Sequence, residues 1–149
     1  MTPDSRAHLV KALILDEGAR NFPYKDTVGK LTIGVGRNLD DRGLSDREIG
    51  VLLENDITIV VDELDRHLPW WREMNDVRQR ALANMCFNLG WPKLRGFVNT
   101  LAAMQRGDYQ VAADGMRASL WARQVGARAR RLAREMETGT TDLPGTVRA

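Results

Sequence analysis

One run of apolar residues limits the architectures open to this chain more than any other. Ile49, Leu52, Leu53, Ile57, Val60, Val61, Leu64 and Leu68 recur at the spacing of one face of an α-helix. Ser45-Asp46-Arg47-Glu48 in front of them has the form of a capping box, and Pro69 stops the pattern. A helix over about 45–68 spans roughly 33 Å at ~1.5 Å per residue, a rod long enough to join two lobes.

The segment before the rod is mixed. Leu9, Ala12, Leu13 and Ile14 form an apolar stripe over residues 4–17, with Gly18 as the stop, so Glu17 falls in the last turn of a helix. After Pro23 the period changes to two: Leu31, Ile33 and Val35 alternate with Thr32, Gly34 and Gly36, and Thr27-Val28-Gly29-Lys30 supplies a turn. This predicts a hairpin with Asp26 at its turn and Thr32 on the returning strand, with room for a third short strand before Gly43. The small lobe covers about 18–44.

Beyond the rod the chain is helical. Stop signals at Gly90, Gly107 and Gly139 divide it into helices over 76–89, 93–106, 108–118 and 126–137. The short connections predict a compact helical lobe over about 69–140, joined by the N-terminal helix, with a loop-like tail over 141–149. The fold class is therefore α+β, mostly helical, in one domain covering 1–149.

Composition excludes several classes. With 43% hydrophobic and 28% charged residues over 149 positions, the chain has the makings of one globular core. Cys86 is the only cysteine, inside an apolar helical run, which predicts a buried thiol. His8 and His67 stand apart from it and from each other, so no metal or cofactor is expected. The start, MTPDSRAHLVKALILDEG, reads as neither a signal peptide nor an anchor, and no segment reaches the ~20 apolar residues of a membrane span. Residues 1–75 carry a charge of −4 and residues 76–149 a charge of +6. The basic half suggests an anionic partner, with Arg117, Arg123, Arg128, Arg130, Arg131 and Arg134 as its densest region and electrostatic steering as its use.

Three residues suggest chemistry. Glu17, at a helix C-terminus, meets the negative end of the helix dipole, which favours the protonated form that a proton donor needs. Asp26 lies in an open turn suited to a carboxylate, and Thr32 can face the same space. Two acids facing one cleft are the apparatus of glycosidic cleavage: one protonates the leaving oxygen and the other manages the anomeric centre or the water. By spacing alone this is weak evidence, since acids at a helix end and in a turn are usually capping or solvated residues.

The surrounding residues narrow the choice. DEGARNFPYKDTVGKLTIGVGR, then NMCFNLG at 84–90, GFVNTL at 96–101, the Trp121 segment and METGTT closely resemble the phage-type lysozymes, the endolysins or muramidases of bacteriophages. The resemblance runs from about Leu9 to Thr140. It implies a lysozyme-like fold in which a small hairpin-bearing lobe is joined by a long helix to a helical lobe. It also implies hydrolysis of the β-1,4 bond between N-acetylmuramic acid and N-acetylglucosamine in peptidoglycan, without a cofactor. Carried over, Glu17 resembles the general acid, Asp26 the residue that positions or activates water, and Thr32 its water-holding partner. Asn38, Phe87, Asn88 and Thr100 match positions lining the sugar groove, although Phe87 read by itself is a core residue. Arg128 falls where the family places an arginine against the glutamate. The family further implies synthesis in the host cytoplasm as a monomer, release through a holin pore, and action on the cell wall, with no nucleic-acid partner.

Three positions depart from the pattern: Arg37 stands for a common histidine, Asn88 for a longer amide, and Gly115 for a groove asparagine. Since the histidine pairs with an aspartate at the place of Asp56, an Arg37–Asp56 ion pair is expected. Two other functions stay open at this point. One is a non-enzymatic helical module that binds nucleic acid or another polyanion, and the other is a lytic transglycosylase, which needs no base for water.

Overall fold

In the computed structural model, which describes residues 1–141, the first helix, α1, spans Pro3–Glu17. Thr2 caps it by accepting from the Ser5 amide at 3.2 Å, Pro3 fits the first turn, and Gly18 ends it at φ +76°. Three antiparallel strands come next, in sequential order: β1 (Arg20–Lys25), β2 (Leu31–Gly34) and β3 (Arg37–Asn38). The first strand thus starts before Pro23. Its register slips between the Arg20–Gly34 and Tyr24–Thr32 pairs, where Pro23 has no amide to offer the ladder.

The next helix, α2 (Asp46–His67), is capped as its sequence predicts: the Glu48 amide donates to Ser45 Oγ at 3.2 Å, and the Ser45 amide donates back to Glu48 Oε2 at 2.9 Å. Asp65 near its end accepts from Arg72 at 2.8 Å and from the Trp71 indole at 2.7 Å, which holds the Asp65 carboxyl down to about 2 and ties the 3-10 turn Pro69–Glu73 to the helix.

Six further helices complete the described chain: α3 (Asp76–Leu89), α4 (Trp91–Leu94), α5 (Val98–Gln105), α6 (Tyr109–Ala118), α7 (Leu120–Val125) and α8 (Ala127–Thr138). The single helix expected over 93–106 is two. Pro92 seats the first turn of α4, Gly96 ends the run, and the bend turns Leu94 as well as Leu101 and Met104 inward. The Trp121 segment is a helix of its own, capped by Ser119, whose Oγ accepts from the Ala122 amide at 3.1 Å. Of the tail, residues 142–149 lie outside the described residues.

Two compact units emerge, Met1–Leu52 and Leu53 onward, so the division falls inside α2 rather than at its ends. The hydrophobic core belongs to the second unit, where Leu64, Leu82, Met85, Leu94, Met104, Met116, Leu132 and Met136 are fully buried. Cys86 is part of it, 2% exposed, and burial pushes its thiol up to about 11, with the charge of Glu63 adding to the effect. In the first unit Thr32 alone is buried.

Candidate active site

The main chain of Lys30 ties two of the expected residues together. Asp26 Oδ1 accepts from the Val28 amide at 3.0 Å and the Lys30 amide at 2.8 Å, closing the β1–β2 turn. The Lys30 carbonyl in turn accepts from the Asp26 amide at 2.9 Å and from the Thr32 hydroxyl at 2.9 Å. Asp26 Oδ2 takes no hydrogen bond among the described residues, so one oxygen of the carboxylate is fixed and the other is open. Thr32, 3% exposed on the central strand between Tyr24 and Asn38, braces this turn from beneath. Its proton is committed to the carbonyl, which leaves its lone pairs as acceptors.

Glu17 is the last residue of α1, and its side chain lies across the backbone of Gly36. A Cβ at position 36 would sit 3.1 Å from Glu17 Oε2 and 3.2 Å from its carboxyl carbon, so any side chain there would make the carboxylate give by a few tenths of an ångström. Gly36 also has φ +66°, which turns the chain from β2 into β3. The Gly-Val-Gly of the sequence therefore serves both the turn and the acid.

The expected Arg37–Asp56 pair does not form. Both terminal guanidinium nitrogens of Arg37, Nη1 and Nη2, donate to Glu48, at 2.5 and 2.6 Å, in a bidentate pair, and Nη1 also donates to the Gly43 carbonyl at 3.2 Å. Glu48 stands in the first turn of α2 with Oε2 already held by the capping box; Asp56 lies eight residues, about 12 Å of helix rise, further on. A strand that ends beside the helix start meets the nearer acid. The pair and the Ser45 amide hold the Glu48 carboxyl down at about 2.

That shift has a sign. A carboxyl depressed from 4.5 to about 2 on folding contributes stability that is present above pH 4.5 and lost as pH falls toward 2. Protection of the β2 and β3 amides, measured against their intrinsic exchange rates at each pH, should therefore fall between pH 4.5 and 2. Arg37→Met should flatten much of that dependence; an unchanged profile in the variant would assign the acid sensitivity elsewhere.

Asn38 is spent inside its own turn: Nδ2 donates to Asp41 Oδ2 at 3.0 Å and Oδ1 accepts from the Asp41 amide at 2.9 Å. Asp41 also holds Lys30 Nζ at 2.9 Å, and Asp40 Oδ2 accepts from the Leu31 amide at 2.8 Å, so the turn after β3 fastens the edge of the sheet beside the Asp26 turn. Its grip on sugar, expected from its position, would need these bonds to yield.

The remaining expected residues belong to the second unit. Phe87, 44% exposed, is not core: it lines one concavity of about 370 Å3 with Asp56, Glu63 and Trp91, and another of about 500 Å3 with Ile57, Asn84 and Arg128. Arg128 Nε donates to Asn84 Oδ1 at 2.9 Å, a partner that the sequence did not announce. Asn88 Oδ1 accepts from the Trp121 indole at 2.7 Å, which satisfies a side chain only 3% exposed. Thr100 is 7% exposed, and its hydroxyl fills the place that a Cβ on Gly115 would take, so the two positions are coupled: a groove asparagine at 115 would collide with Thr100.

With this geometry in view, the chain matches the family model described as phage lysozyme over residues 15–137. It is 29% identical to the pre-baseplate central spike protein Gp5 of Enterobacteria phage T4 over 92% of its length, and spans 29% of that protein. Probable T4-type lysozymes 1 and 2 of Dictyostelium discoideum are 25% and 26% identical to it over 84% of this chain and 91% of theirs.

Proposed function

The chain belongs to the phage lysozyme family, and on that footing we propose that it hydrolyses the β-1,4 bond between N-acetylmuramic acid and N-acetylglucosamine in peptidoglycan. The observation that carries the mechanism is the shared anchoring of Asp26 and Thr32 on Lys30, with Asp26 Oδ2 left open. Glu17 protonates the leaving glycosidic oxygen. Asp26 Oδ2 accepts one O–H of a water and takes its proton, while a lone pair on Thr32 Oγ1 accepts the other, so that the oxygen lone pair points at the anomeric carbon. Oδ1 cannot swing away without freeing two backbone amides, which keeps the base in position as charge moves. If an inverting course applies, the two carboxyl groups work roughly 6.5–9.5 Å apart.

From the family resemblance we also take Phe87 and Asn88 as sugar contacts and Arg128 as a supporting residue. In the same reading the enzyme is a monomeric endolysin, made in the host cytoplasm and released to the wall through a holin pore. The test is the product. Mass analysis of digested, purified walls should show reducing N-acetylmuramic acid ends that have gained a water. Anhydro-muramic ends would overturn hydrolysis in favour of transglycosylation, and intact glycan strands would overturn the enzymatic reading altogether.

A further inference from the structure

The second unit carries a concavity that this catalytic reading does not use. Arg117 from α6, Arg123 from α7, and Arg130 and Arg134 from α8 line a space of about 510 Å3, with Ala122 and Gly126 as the small residues between them. Gly126, at φ +58°, turns the chain from α7 into α8 and so brings the arginines of both helices to one place.

Two of these cations are not neutralised by the described residues. Arg117 is bound to Glu137 at 2.5 Å and Asp114 at 3.3 Å, which fixes its guanidinium as one wall. Arg123 and Arg130 take no hydrogen bond or ion pair among the described residues, and so bring two uncompensated positive charges to the concavity. Arginine cannot shed its proton to relieve the crowding. Arg134 stands one helical turn from Arg130 and completes the lining on α8.

The chemistry of the lining selects the anion. Planar guanidinium forks match phosphate oxygens two at a time. Single-stranded nucleic acid is gripped through aromatic platforms that stack its bases, and no aromatic side chain lines this space. A concave seat also suits a discrete phosphate better than a flat lipid surface. We propose that the concavity is a phosphate-binding site that takes phosphate groups of a base-free anionic polymer of the bacterial envelope, holding the protein on the wall independently of the bond it cuts.

The probes are inorganic pyrophosphate and a soluble glycerol-phosphate polymer, titrated calorimetrically at low salt. Arg123→Gln/Arg130→Gln should weaken both by at least about 10-fold, the loss of two charge-assisted forks. Arg6→Gln/Arg95→Gln, which removes the same charge from exposed positions elsewhere, should change them by less than about 2-fold. Circular dichroism checks that both variants fold. Equal losses in the two double variants, or no loss in the first, overturn the site. A single-stranded oligonucleotide of matched charge should bind more weakly than the glycerol-phosphate polymer; tighter oligonucleotide binding overturns the choice of ligand. Because binding is read directly, failure here leaves the hydrolase reading untouched.

Discussion

Replacing Glu17 with glutamine should reduce clearing of purified cell walls by roughly 10²–10⁴-fold, the range contributed by a positioned proton donor. The amide has nearly the shape of the acid, so it can still lie across Gly36 but has no acidic proton for the leaving oxygen. Asp26→Asn should act through the other half of the reaction. Its carboxamide oxygen can still accept from Val28 and Lys30, which preserves the turn, while an NH2 in place of Oδ2 cannot accept a proton from water. Circular dichroism of both variants should match the parent. Lysis at the parent rate by either would remove that residue from the chemistry.

Gly36→Ala should lower activity without removing a reacting group. Its Cβ would arrive 3.1 Å from Glu17 Oε2, so the carboxylate must give by a few tenths of an ångström, and misplacing a proton donor lowers the rate. The backbone at φ +66° adds strain of about 1–2 kcal/mol. Gly34→Ala separates the two effects, because Gly34 has φ +67° with nothing within 4 Å of its added Cβ. The two variants should lose similar stability by thermal unfolding, and Gly36→Ala should lose more lysis than Gly34→Ala, though less than Glu17→Gln. Equal activity in both would mean that Gly36 serves the turn alone.

The elements that could be read without a structure are those fixed by neighbours in sequence. The start of α2 follows from Ser45 and Glu48, three residues apart, and its end from Pro69. Asp76–Leu89 is bounded by Asn75 as cap and Gly90 as stop, again local signals. Asp26 and Thr32 fall on either side of a turn whose geometry the intervening residues dictate. Local signals were present but less distinct at α7, where Ser119 caps a helix of only six residues, and at Gly96, where one predicted helix divides.

The partners of the charged and amide side chains were a different matter. Arg37 has acids at 48 and 56 within the same helix, at two distances along it, and pairing rules alone do not choose between them; the place where β3 meets the first turn of α2 does. Asn84 with Arg128 and Asn88 with Trp121 join positions 44 and 33 residues apart, and the clash that a Cβ at Gly115 would make with Thr100 follows from the close packing of α5 and α6. The four arginines of the phosphate site were visible in the sequence as a basic stretch, but their convergence needed the bend at Gly126.

By itself, then, the sequence determined the long helix, the hairpin and the helical run after it, since caps, stops and periods act over a few residues. Tertiary structure decided which groups the acids and arginines meet: the bare backbone of Gly36 under Glu17, the Lys30 peptide between Asp26 and Thr32, and Glu48 rather than Asp56 for Arg37. Such contacts depend on distances set by packing, and no local rule of spacing contains them.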